Sequence, residues 1–211
     1  MPKLHNHLLG RLLNREFDGC DEHVDFTDEE QNNIYIKNNI IFCHQTAHIN
    51  YTTYNMRQSF DTINPQTCPF IMVATPEKEP GAHPFWYAQV LGIFHVDVRH
   101  TGSRSKDFRT KQMEFLWVHW LGTEPGHISG HMSACLPMVG YVPDSDDDDF
   151  GFVDPALILC SCHLIPTFCR GWTTSLLSTV EATDARSAGE KDDWTNYYVN
   201  MWVCHLNLSL I

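Results

Sequence analysis

Two runs of alternating side chains, Phe85 to Val98 and Met113 to Trp120, constrain this chain more than any other stretch. In the first, Tyr87, Gln89, Leu91, Ile93 and His95 share one parity, and Trp86, Ala88, Val90, Phe94, Val96 and Val98 share the other. A period of two is the spacing of a strand, whose successive side chains point to opposite faces. The second run alternates in the same way, with Phe115, Trp117 and His119 set against Leu116, Val118 and Trp120. Between them lie Gly102, two serines and the cations Arg99, Arg104, Lys106, Arg109 and Lys111, a composition that suits an exposed loop. The expectation is a long antiparallel hairpin.

The flanking sequence supplies smaller elements. Leu4, Leu8, Leu9, Leu12 and Leu13 recur every three or four residues and predict a short helix with Arg11 and Arg15 on its polar side. Thr27 followed by Asp28, Glu29 and Glu30 predicts a capped helical start. The stretch 34–42 reads as a hairpin turning at Asn38-Asn39, and 47–54 continues as strand. Residues 56–69 carry turn signals and predict an excursion, followed by a return strand at Phe70 to Ala74. Pro155 is placed to open a helical turn, and LILCSCHLI after it is expected to complete a barrel or dock on it. From Arg170 to Asp193 the Ser, Thr, Ala and Gly content predicts a mobile segment, and the apolar stretch WTNYYVNMWVCHLNLSLI that closes the chain is expected either as an edge strand or as the mark of a lost continuation.

Charge narrows the partners. With 14 Lys+Arg against 26 Asp+Glu the net charge is −12, which repels phosphate backbones and favours a basic peptide such as a histone tail. Contact with nucleic acid is left only to the local basic loop at Arg99, Arg104, Lys106, Arg109 and Lys111. No run of about 18 apolar residues predicts a membrane span. The N-terminal stretch lacks the apolar core of a secretory signal, so the eight cysteines are expected as reduced thiols in an intracellular protein.

Catalytic signatures are missing: there is no GxSxG, P-loop or HExxH pattern. Cys160, Cys162, His163 and Cys169 are candidate zinc ligands, although C-x-C makes a poor knuckle and buried strand thiols are the plainer account. Cys43, His44 and His48 form another short cluster, and His127 and His131 lie four apart. The acidic run at Asp144 to Asp149 lacks the alternating ligands of a calcium loop and reads as a solvated bend. Tyr51, Tyr54, Trp86, Tyr87, Trp117 and Trp120 either fill a core or converge as a cage whose ring faces attract a methylated ammonium.

Ordered motifs carry a family likeness. LHNHLLGRLL, INYTTYNMR, INPQTCPFIMV, HPFWYAQVLGIFHV, MEFLWVHWLGTEPG, FGFVDPALILCSCHLIPTF, GWTTSLL and DDWTNYYVN occur in this order. Together they resemble the C-terminal region of Plavaka-type transposon proteins of mushroom-forming fungi, relatives of the CACTA class. In relatives the YYVN segment continues into aspartate- and aromatic-containing sequence, whereas Met201 to Ile211 here is apolar. The resemblance implies a domain trailing the transposase core and no catalytic activity, because the acidic triad of such elements lies upstream. It also implies a nuclear location.

The run WYAQVLGIF, EFLWVHWLGTEPG, VDPALILCSCHLIP is similar in spacing to the bromo-adjacent homology module, an elaborated SH3-like barrel that recognises chromatin. The expected architecture is thus mainly β (α+β): an SH3-like or bromo-adjacent-type β-barrel over 34–169. It follows an N-terminal helix and acidic connector over 1–33 and precedes a flexible segment and apolar tail over 170–211. The expected function is a non-catalytic peptide- or chromatin-binding module. The alternatives are an assembly domain that joins transposase subunits and, third, a metal-dependent nuclease. No cofactor is expected beyond a structural zinc ion.

Overall fold

The structure, a computed structural model, describes residues 2–14, 26–52, 58–75, 83–102, 104–105, 107–130, 133–143, 149–173 and 193–200. The leucine stripe forms α1 (Pro2–Leu12), with Leu4, Leu8 and Leu9 buried. Thr27 opens α2 (Asp28–Gln31) with the expected reciprocal cap: Glu30 N donates to Thr27 Oγ1 at 3.3 Å, and Thr27 N donates to Glu30 Oε2 at 3.2 Å. The strands that follow are β1 (Ile34–Ile36), β2 (Phe42–His44), β3 (Ala47–Thr52), β4 (Gln58–Ile63), β5 (Phe70–Ala74), β6 (Phe85–His100) and β7 (Lys111–Thr123). After them come β8 (Met138–Tyr141), β9 (Phe150–Val153), β10 (Ile158–Ser161), β11 (His163–Pro166), β12 (Trp172–Thr173), β13 (Asp193–Trp194) and β14 (Asn196–Asn200). The chain is mainly β, built on one large antiparallel sheet.

β6 and β7 form the long hairpin, paired from Tyr87 opposite Leu121 to Val98 opposite Lys111. The pairing is not uniform. Val90 faces Val118 and Gly92 faces Trp117, so Leu91 is an extra residue in β6, a β-bulge. One inserted residue reverses the parity of everything after it. Before the bulge Ala88 and Val90 share a core with Leu116 and Val118; after it Ile93 joins that same core. The simple alternation expected through His95 therefore changes phase at Leu91, and Gly92 is its sequence mark. Gly92 is also covered by the Phe94 ring, which a Cβ there would meet at 2.5 Å.

The sheet runs β10-β5-β6-β7-β8-β14-β11. Its hydrogen-bond ladder does not close, because the end strands β10 and β11 pair with β5 and β14 and not with each other. Those end strands are nonetheless consecutive in the chain, separated by Cys162 alone, whose N–H donates to Phe70 O at 2.9 Å. One continuous stretch, 158–166, therefore edges both margins of the sheet, and the sheet must curl until the margins meet. The interior of that curl is a single cluster: Met72, Tyr87, Leu121, Val139, Cys160, Cys162, Leu164, Tyr197 and Val199, drawn from every strand on the path. The expected barrel is thus not closed: the sheet curls, and only the covalent chain at Cys162, where the backbone changes partners, links its margins.

Three other expectations change. The stretch 34–42 is not a hairpin: β1 and β2 both run antiparallel to β6, Ile36 opposite Val98 and Phe42 opposite His95. Asn38 and Asn39 take positive φ of 58° and 52°, which loops the chain out of one edge strand without reversing it. The turn-rich excursion contains β4, which pairs with β3 from Ala47 opposite Ile63 to Thr52 opposite Gln58. Ile49 and Ile63 of this hairpin cover the outer core, and Asp61 Oδ2 fixes it by accepting from Ser161 N and Oγ, each at 2.9 Å. Finally, β14 lies between β8 and β11 and is no edge strand. The residues 201–211 and most of the 170–193 segment lie outside the described residues.

α1 seals the far end of the hairpin, where Leu4, Leu8 and Leu9 meet Val96, Val98, Met113 and Phe115. Leu8 is fully buried there. Leu8→Ala is expected to lower unfolding stability by about 2–5 kcal/mol, a loss that urea titration of the wild type and variant would measure.

Candidate functional site

The six rings expected to converge do not form one cage. Trp117 and Trp120 are three residues apart on β7, so the strand period places them on opposite faces. Trp117 is 40% exposed with Phe150 at 6.0 Å, whereas Trp120 is half-buried against the outer core. Trp86 meets Trp120 edge to face at 5.7 Å and 76°. Trp120 also lies so close over Gly151 that a Cβ there would sit 2.7 Å from its Nε1. Tyr87 is 1% exposed inside the curled sheet, a core ring and no cage wall. Tyr51 sits in β3, but its side chain and the whole of Tyr54 lie outside the described residues.

Two of the five cations of the basic loop are matched by local acids. Arg104 pairs with Glu30 at 3.0 Å and Lys111 with Asp107 at 3.8 Å, while the Arg99 guanidinium lies 5.4 Å from the centre of the Tyr35 ring. Arg109 is exposed beside Asp107, which accepts from its backbone N–H at 3.0 Å; Lys106 lies outside the described residues. Nearby His100 is buried, and its pKa is lowered by that burial and by Arg104, with Glu30 opposing.

The zinc candidates are also dispersed. Cys160 and Cys162 are buried in the interior, His163 is exposed on β11, and Cys169 is exposed on the 3-10 turn Phe168–Arg170. Adjacent strand residues such as Cys162 and His163 face opposite sides. Among the described residues no group of three or more His, Cys, Asp or Glu side chains is placed to hold a metal ion. Asp144 to Asp148 of the acidic run lie outside the described residues.

A different set of rings does converge at the surface. β12 and β13 pair with Trp172 directly opposite Trp194, and their rings lie 5.2 Å apart at 31°. Phe168 stands almost perpendicular to Trp194, at 5.1 Å and 83°. Phe168 is 70% and Trp172 67% exposed, while Trp194 packs partly against the interior cluster. Two faces at right angles with a third ring beside them make an aromatic corner, and such faces attract cations through the ring quadrupole.

The corner has a rigid base. Gly171, at φ 71°, turns the chain from Phe168 into β12, and its carbonyl accepts from Thr195 N at 3.1 Å. Thr167 N donates to Asn196 O at 2.9 Å. Beneath, Glu124 accepts from Arg170 Nη1 at 2.6 Å and from Asn196 Nδ2 at 3.0 Å, while Asn196 Oδ1 accepts from Arg170 at 3.2 Å. Asn196 is 3% exposed, and its partner across the sheet must be Gly140, where a Cβ would lie 2.7 Å from Asn196 Nδ2. Arg170 is thereby neutralised, so the rings stand beside no uncompensated cation of this cluster.

Sequence reading missed this corner because the polar composition of 170–193 outweighed its ends. The available signal was a tryptophan near each end of the segment, Trp172 and Trp194, flanking a stretch rich in Ser, Thr, Ala and Gly. No family model, curated protein or solved structure matches the chain.

Hydrogen bonding to Arg170 holds the Glu124 carboxyl below its ordinary pKa, against the opposing effect of burial. A depressed carboxylate stabilises the fold above its unfolded-state pKa, and that contribution disappears as the pH falls through the lowered folded value. Glu124→Gln is therefore expected to be less stable than the wild type at neutral pH. The two should become similar in acid, and urea midpoints across a pH series would record the convergence.

Proposed function

We propose that this chain is a non-catalytic binding module that holds a basic peptide, and that the Phe168, Trp172 and Trp194 corner receives a lysine side chain or its methylated form. The observation that carries this reading is the pair of exposed rings, Phe168 and Trp172, set around Trp194 on a neutralised base. Net charge of −12 supports a basic ligand over nucleic acid, and the acid-matched loop cations support the same choice. The curled sheet edged by 158–166 is compatible with an SH3-like or bromo-adjacent-type module. The origin in a Plavaka-type transposon protein, a chromatin ligand and a nuclear location belong to the same proposal and rest on the sequence motifs alone.

Assembly of transposase subunits is the second reading, because exposed tryptophan and phenylalanine also suit a protein interface. Both readings make the rings matter, and they separate by experiment. Titration with unmodified and methylated lysine-rich peptides is expected to show saturable binding to the wild type. Trp172→Ala and Trp194→Ala should each weaken that binding by about tenfold, the order of one cation–π contact in a partly desolvated site. Peptide affinity that is absent, or untouched by both changes, would defeat the reader hypothesis. Concentration-dependent sedimentation abolished by the same changes would favour assembly.

A further inference from the structure

The outer face of the sheet carries a second constellation, remote in sequence from the aromatic corner and independent of the peptide reading. β2 pairs with β6 so that Phe42 faces His95 and His44 faces Ile93. That register makes His44 and His95 diagonal neighbours on one face. Their nitrogens meet: His44 Nε2 and His95 Nδ1 are 2.5 Å apart. Phe42 lies flat on His95, with ring centres 4.5 Å apart and planes 6° from parallel, and fixes the plane of that imidazole. The His44 ring sits 4.8 Å from it at 26°. His44 and Phe42 are exposed, so the approach to the two nitrogens is from solvent.

At this separation one nitrogen donates and the other accepts, with a single proton between them. Replacing the shared proton by a metal ion gives both lone pairs an acceptor at once. We propose that His44 and His95 form a two-histidine site for a divalent transition metal of the zinc and nickel class, with the remaining positions taken by water or an incoming side chain. Imidazole suits these metals, whereas magnesium and calcium prefer oxygen ligands.

The required movement is small. Metal–nitrogen bonds of about 2.0–2.1 Å put two imidazole nitrogens on one tetrahedral ion roughly 3.3 Å apart, so the pair must open by less than about 1 Å. Side-chain rotation supplies that on an exposed strand. Glu114 lies opposite His95 on β7 and shares its face, and its negative charge favours a cation there. Further along, Asp97 is engaged with Lys37 at 3.3 Å. Cys43 faces Phe94 across the ladder and so belongs to the other parity.

Imidazole nitrogen-15 spectra of the wild-type chain during a zinc titration test the site directly. The expected result is that His44 Nε2 and His95 Nδ1 shift together and saturate. A thermal melt with and without nickel gives the second measurement: nickel should raise the midpoint of the wild type, and His44→Gln and His95→Gln should each lose that increment. The proposal is overturned if these two nitrogens stay unmoved while other ligands respond, or if nickel stabilises the wild type and both variants equally.

Discussion

The pairing of β6 with β7 is the interaction on which the other elements depend. β6 gives its second edge to β1, β2 and β5 in turn, and β7 gives its second edge to β8 and β9. No other pair of strands in the sheet approaches their length. The bulge at Leu91 then determines which faces are covered. It lets one face of the hairpin turn from the interior cluster around Tyr87 to the α1 cluster around Phe115, while the opposite face keeps a single core beneath the β3–β4 hairpin. Were Leu91 paired in a regular ladder instead of bulged out of it, Ile93 would leave that core and Phe94 would enter it.

The curl of the sheet comes from a different device. The stretch 158–166 pairs first with β5 and then with β14, and its change of partner at Cys162 brings together two margins that are remote along the ladder. It also delivers the chain to the aromatic corner. Thr167 leaves β11 and bonds to Asn196 at the start of β14, so the 3-10 turn carrying Phe168 is anchored to the body of the sheet.

Charge on this molecule is strongly acidic in sum and locally organised. Arg170, Arg104, Lys37 and Lys111 each have a carboxylate within ion-pair distance. Exposed pairs of this kind contribute little stability individually. Their effect on recognition is larger, because basic side chains that are already matched leave the long-range field to the acidic excess.

The sequence alone determined the main hairpin, the N-terminal helix and the capped start at Thr27, because each is written in local periodicity or in a four-residue motif. Partner choice was decided only in three dimensions. Asn38-Asn39 has the same residues whether it reverses a chain or loops out of an edge strand, and the free edge of β6 settles the matter. Trp172 and Trp194 are separated by more than twenty residues, so only the β12–β13 pairing sets their rings side by side. The same holds for His44 and His95, which meet because β2 lies along β6 in one register, and register is a property of two strands that neither carries by itself.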